Sequence, residues 1–191
     1  MKIAITGGIA DGKSTALGFL RDLGFQVLDA DAVVGDLYEE ESVVGEIKSA
    51  FGQAAVSFGR IEREWLHGVV FSDAKSRRKL NQILHSRVIG AIVDWSRGIA
   101  GISFAEVPLL IETAAQGLFD RVWVVSAGYD EQLRRVAERF GGDRARAARL
   151  LQTQLPTEVK SVFADEIFRS DTSLEDLRSH LVLATRALQE D

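Results

Sequence analysis

Residues Gly7–Ser14 read G-G-I-A-D-G-K-S and fit the spacing G-x-x-x-x-G-K-[ST]. That spacing suits one chemistry, the gripping of a nucleoside triphosphate tail. Gly7 and Gly12 allow backbone angles that side chains block. Gly8, Ala10, Asp11 and Gly12 fall inside the loop and are expected to lie against the triphosphate. Lys13 can reach the β- and γ-phosphates as a point charge. The Ser14 hydroxyl can complete a Mg²⁺ shell otherwise made of water and phosphate, and Thr15 sits where a neighbouring phosphate can accept its hydroxyl proton. Taken alone, the letters could describe a glycine turn with a solvated lysine. The context decides: Ile3, Ala4 and Ile5 form an apolar strand before the loop, and Thr15–Leu23 follows with apolar residues at helical spacing.

Four acids come next. Asp29-Ala30-Asp31 directly follows the second apolar run, at the strand end where open parallel sheets bind ligands. A carboxylate at Asp31 can accept a proton from an attacking hydroxyl or hold metal-bound water; one of the pair could instead cap the helix that follows. Glu106 lies near the end of a later strand, where it can stand close to Mg²⁺. Glu112 is expected to open the next helix, where negative charge suits the dipole, and a substrate contact there stays open.

These residues need a frame. Five strands are predicted, at Ile3–Ile5, Phe25–Leu28, Ile102–Val107, Arg121–Val125 and Ile167–Phe168, with helical patterns between them. That alternation predicts an α/β fold, a parallel five-stranded sheet covered by helices on both faces. Residues 32–96 break the alternation with helical periodicity and read as an inserted helical lobe; Glu39-Glu40-Glu41 near its start reads as a solvated run. Phe140–Gln154 carries a Gly141-Gly142 break and an arginine-rich helix ending near Pro156, a pattern that suits a mobile lid over phosphates. The expected division is a core of 1–31, 97–138 and 155–191, the lobe at 32–96 and the lid at 139–154.

The chain has 191 residues, no cysteine and a formal charge of −5. Cysteine chemistry is excluded, and an acidic balance argues against broad nucleic-acid binding. Arg134, Arg135, Arg139, Arg144, Arg146 and Arg149 are nevertheless crowded together, which suggests a local anionic ligand. With no signal peptide and no apolar run of membrane-spanning length, a cytoplasmic location is expected, with no membrane or obligate protein partner.

In this order the motifs resemble the dephospho-coenzyme A kinase family almost end to end. The resemblance runs through Thr6-Gly7-Gly8-Ile9 and Gly12-Lys13-Ser14-Thr15, Leu23-Gly24, Asp29-Ala30-Asp31, Phe51-Gly52 and Gly59-Arg60-Ile61-Glu62-Arg63. It continues through Leu80, Ile83 and His85, then Val107-Pro108-Leu109-Leu110 with Glu112, Asp120 with Val122-x-Val124-Val125, Gln132-x-x-Arg135-x-x-x-Arg139, Gln154, Lys160 and Ala164-Asp165. It implies a P-loop core like that of nucleoside-monophosphate kinases, a coenzyme-binding lobe and a lid. It also implies ATP-dependent phosphorylation of the ribose 3′-hydroxyl of dephospho-coenzyme A. Carried over by position, Lys13 and Ser14 serve ATP and Mg²⁺, Asp31 takes the hydroxyl proton, and Arg135 and Arg139 attend the nucleotide, Arg139 stabilising the transferring phosphoryl. Arg63, His85, Leu109 and Glu112 fall to the coenzyme, with His85 equally readable as a packed lobe residue.

The departures are specific. The family loop is usually G-G-I-G-S-G-K-S, and Ala10 in it demands tamer backbone angles than glycine. Asp11 predicts repulsion of the phosphates unless its side chain turns outward. Gly35 stands for an arginine, Ser86 for a proline after His85, and Ser170 for an asparagine. They leave open another small-molecule P-loop kinase or a catalytically impaired nucleotide-binding homologue. A switch GTPase is not supported, because Asn81 is the one asparagine and lies outside N-K-x-D.

Overall fold

A computed structural model describes residues 1–190. The strands of the main sheet are β1 (Lys2–Thr6), β2 (Gln26–Asp29), β5 (Ser103–Glu106), β6 (Arg121–Ser126) and β7 (Glu166–Arg169), in the spatial order β2-β5-β1-β6-β7. The predicted five-stranded parallel sheet is present, with Ile3 level with Phe104 on one side and Arg121 on the other. β1 is central because Ile3, Ala4 and Ile5 carry nothing that needs water. Ile3 and Ile5 join Phe104, Trp123 and Phe168 on one face. Ala16, Leu17 and Leu20 of α1 (Lys13–Asp22) and Leu177 and Leu181 of α9 (Leu174–Glu190) cover them. Trp123 lies between Phe104 and Phe168, with ring centroids 5.1 and 4.8 Å away.

The chain divides into two compact units, 1–28 with 98–191 and 29–97. The second has a core of its own, built by α2 (Ala30–Leu37), α3 (Glu41–Phe51), α4 (Arg63–Ser72) and α5 (Ala74–Arg97) around Leu37, Val43, Ile47, Leu66 and Leu84. It also holds a small antiparallel hairpin, β3 (Val56–Ser57) with β4 (Arg60–Ile61), which the helical periodicity does not reveal. Its two-residue turn sets Phe58 and Gly59 at φ 49° and 77°, the mirror-image geometry that matches strand twist.

In the first unit, α6 (Tyr129–Arg139) packs against α7 (Arg144–Leu151) over Leu133, Val136 and Ala147. The arginine-rich helix stops at Leu151, and Pro156 instead N-caps a separate helix, α8 (Thr157–Ser161). No helix follows Pro108: residues 108–114 make successive turns, so Glu112 does not open a helix as expected. Pro108 and a left-handed Ala114 (φ 53°) bound that stretch. Among the described residues, no helix is long and apolar enough to cross a membrane.

Candidate active site

The P-loop joins β1 to α1 in the predicted arrangement. Gly12, at φ 87°, N-caps α1, so the first amides of that helix have no carbonyl a turn earlier to bond. They and the helix dipole form an anion site. Glycine is required at Gly7 by close approach to backbone, and a side chain at Gly8 would have to displace Gln132 and Thr157. A β-carbon at Gly7 would lie 2.3 Å from the Val125 carbonyl, and one at Gly8 2.3 Å from the Gln132 amide. Ala10 departs from its expected geometry: φ is 63°, in the left-handed region, at a cost of about 1 kcal/mol for a residue with a β-carbon. Its carbonyl accepts a hydrogen bond from Arg135 at 3.0 Å, which holds the loop in that shape.

Lys13 folds back over the loop. Its Nζ donates to the Gly8 carbonyl at 2.8 Å and lies 3.8 Å from Glu106, itself buried at the end of β5. Ser14 and Thr15 begin α1 with exposed side chains. Beneath them, Asp11 is fully buried and its carboxylate turns inward. Oδ2 accepts from the Gly8 amide at 2.5 Å and from the Thr157 hydroxyl at 2.5 Å; Oδ1 accepts from the Ala127 amide at 2.8 Å. The outward turn that would carry this charge away from phosphate does not occur; the carboxylate is instead directed at interior donors.

Lys160 completes the floor. It is fully buried and donates to the carbonyls of Pro108 at 2.6 Å and Gly7 at 3.3 Å, with Glu112 at 3.0 Å. Burial lowers its pKa, and the Glu112 carboxylate opposes that shift. Glu112 also accepts from the Leu155 amide, so it ties the turns after β5 to the chain entering α8.

α6 presents two residues to the loop. Gln132 is buried and donates to the Ile9 carbonyl at 2.9 Å. Arg135 spans from Ala10 to Ser170, donating to the Ser170 carbonyl at 2.6 Å and its hydroxyl at 3.2 Å, while Glu131 pairs with it at 2.7 Å. Hydrogen bonds from Arg134 and then Arg135 lower the pKa of Glu131 to about 2. Arg139, at the end of α6, is exposed and makes no ion pair or hydrogen bond among the described residues; the same holds for Arg144 and Arg149 on α7. A cavity of about 230 Å³ opens beside Gly8 and Ile9, walled by Tyr129, Gln132, Leu155 and Thr157. Among the described residues no cluster of three or more His, Asp or Glu could hold a metal by itself.

In the second unit, Asp29 N-caps α2, accepting from the amides of Asp31 and Ala32. Asp31 lies exposed in the first turn of that helix. Arg63 is held over the Tyr38 ring, donating to the Gly35 carbonyl at 3.0 Å and to Glu39 at 3.1 Å. Glu39 therefore has a partner within the run read as solvated. His85 is exposed on α5, which removes the reading of a packed lobe residue. Leu109 is half-buried among the turns after β5.

The dephospho-CoA kinase family model matches residues 1–176. The chain belongs to the dephospho-CoA kinase family. A dephospho-CoA kinase of Fusobacterium nucleatum is 36% identical over 179 residues, covering 93% of each chain. One of Streptococcus mutans is 32% identical, covering 99% of this chain and 98% of its own. Among solved structures, a Thermus thermophilus protein superposes with a TM-score of 0.82 at 34% identity, covering 98% of this chain and 97% of its own. Dephospho-CoA kinase from Campylobacter jejuni gives 0.71 at 26% identity, covering 100% and 98%. The family makes the chain a transferase that uses ATP as a substrate and dephospho-coenzyme A as its small-molecule partner.

Two departures from the family pattern lie outside the loop, and each has a contact of its own. Ser170, where the family has asparagine, still bonds to the P-loop, its hydroxyl donating to the Asp11 carbonyl at 2.6 Å. Gly35, where the family has arginine, leaves its carbonyl to Arg63. Sequence reasoning missed Thr157 and left Gln132 and Lys160 as motif letters without roles. For Gln132 and Lys160 the family motif was the available signal; for Thr157 there was none.

Proposed function

We propose that this chain transfers the terminal phosphoryl group of MgATP to the ribose 3′-hydroxyl of dephospho-coenzyme A, with Lys13, Asp31 and Arg139 as the reacting charges. The observation that carries this reading is the P-loop at the head of α1, with Lys13 folded over it, in a chain of this family. The triphosphate lies on the loop from Gly8 to Thr15, and Lys13 leaves the Gly8 carbonyl for the β- and γ-phosphates. Arg135 keeps the loop and the Ser170 turn together, and Arg139 turns its unpaired guanidinium to the transferring group, where charge develops. Asp31 accepts the proton of the attacking hydroxyl. Arg63, His85 and Leu109 hold the coenzyme, and Glu112 adds the carboxylate oxygen that Lys160 and Leu155 do not take.

The oxygen donors present suit Mg²⁺: the exposed Ser14 hydroxyl beside the loop, the Glu106 carboxylate near Lys13, and otherwise phosphate and water. Bound there, Mg²⁺ would neutralise charge on the phosphates. Catalysis by this chain's own residues is then mainly positioning and charge stabilisation. A cytoplasmic location, where ATP is available, is part of this reading.

ATP consumption measured against a panel of alcohol acceptors tests the proposal. Turnover should need dephospho-coenzyme A, and Asp31→Asn should lower kcat by about 10²–10⁴. A preferred sugar or nucleotide acceptor would reassign the substrate, and an Asp31→Asn variant of full rate would remove the base.

A further inference from the structure

Asp11 stands where the family loop has serine, and no step of the proposed reaction uses it. Its carboxylate nevertheless joins three segments that meet only in the folded chain. The Gly8 amide belongs to the P-loop, the Ala127 amide to the turn between β6 and α6, and the Thr157 hydroxyl to the start of α8. A backbone amide aimed at a carboxylate is a charge-assisted bond, about twice as strong as its neutral counterpart, and this one lies in a fully buried place where water cannot compete. The Ser170 hydroxyl bonds the carbonyl of the same residue, so main chain and side chain of Asp11 are both fixed. The neighbouring loop residue, Ala10, sits in left-handed backbone that an L side chain resists.

We infer that Asp11 is a positioning residue. It clips the P-loop to the β6–α6 turn and to α8, so that the loop is already in its phosphate-ready shape before nucleotide arrives. Two opposed effects meet at this carboxylate. Negative charge close to a triphosphate weakens binding, whereas a preformed nest removes the ordering cost of forming one. The geometry favours the second. Both carboxylate oxygens are directed at interior donors, and buried Lys160 bonds the Gly7 carbonyl of the same loop.

The inference deepens the proposed reaction and rests on that reading. Its test is read on the nucleotide alone, so that failure of one is distinguishable from failure of the other. MgATP is titrated calorimetrically into the full chain and into Asp11→Asn. Asparagine keeps the shape but turns an NH₂ group towards one of the three donors. The dissociation constant should rise about tenfold or more, the scale of one lost charge-assisted hydrogen bond. In turnover assays KM for ATP should rise by the same factor, with kcat and KM for dephospho-coenzyme A within twofold. Thr157→Val, which removes the hydroxyl that donates to Asp11 and accepts from the Gly8 amide, should weaken MgATP several-fold. The double variant should be no weaker than Asp11→Asn, because both act through one clip. Tighter or unchanged MgATP binding by Asp11→Asn would overturn the inference. So would a loss confined to kcat. Should Asp11→Asn fail to unfold cooperatively, Thr157→Val decides alone, and an unchanged dissociation constant there overturns the inference.

Discussion

Beneath the P-loop, Asp11 and Lys160 are sunk in the protein with hydrogen bonds to fixed backbone, and Glu112 reaches in to face Lys160. At the far end of α6 and along α7, Arg139, Arg144 and Arg149 stand in solvent with no ion pair or hydrogen bond among the described residues. Both regions belong to the same compact unit. The contrast separates two uses of charge. Buried groups must be satisfied by the protein itself, and so they set shape. Exposed arginines keep their donors for an anion that comes and goes. The first region should therefore be read in stability and nucleotide affinity, the second in turnover.

Variants on each side sharpen that separation. The largest effect belongs to Lys13, which touches both regions' business: it bonds the loop at rest and the phosphates in turnover. Lys13→Ala should lower kcat by about 10³-fold or more in a steady-state assay. Arg139→Ala should cost about 10²–10³ in kcat, with thermal unfolding unmoved, since the side chain has no partner to lose. A lowered melting temperature there would erase the proposed contrast. Lys160→Met should do the reverse and show first as lost stability. Removing one member of a buried pair costs about 3 kcal/mol in denaturant titrations, at the low end of such cases because Glu112 reaches solvent.

The smallest effect concerns Glu131, whose pKa is lowered to about 2 from a usual 4.5 by Arg134 and Arg135. A carboxylate depressed in the folded state contributes stability above its unfolded pKa and loses it as pH falls towards the folded one. Melting temperatures of the unmutated chain and Glu131→Gln should thus differ slightly at pH 7. They should converge as pH drops from about 4.5 to about 2, the interval between the two pKa values. A constant gap across that interval would remove this pair from the account.

How far the sequence reveals these two regions follows from the range of the interactions. The P-loop, the five strands and the arginine-rich helix are local patterns, so apolar runs and glycine spacing disclose them. Asp29 as a helix cap is equally local, and was one of the two readings open for that pair. The floor is not local. The sequence shows Asp11 as a charge in the wrong place, because nothing in it says that Gly8, Ala127 and Thr157 converge on that carboxylate. Lys160 and Glu112 are invisible as a pair for the same reason. Ala10 misled by its side chain: the positive φ is held by Arg135, a contact made through the fold. The Val56–Ile61 hairpin escaped because two-residue strands carry no alternation, and Phe-Gly is not the usual residue pair for its turn.

The most direct measurement is product analysis after incubation with MgATP and dephospho-coenzyme A, by phosphorus NMR with mass spectrometry. Coenzyme A bearing its new phosphate on the ribose 3′-oxygen, formed mole for mole with ADP, is the predicted result. ADP released at an equal rate without the acceptor, or phosphate found on any other oxygen, would contradict it.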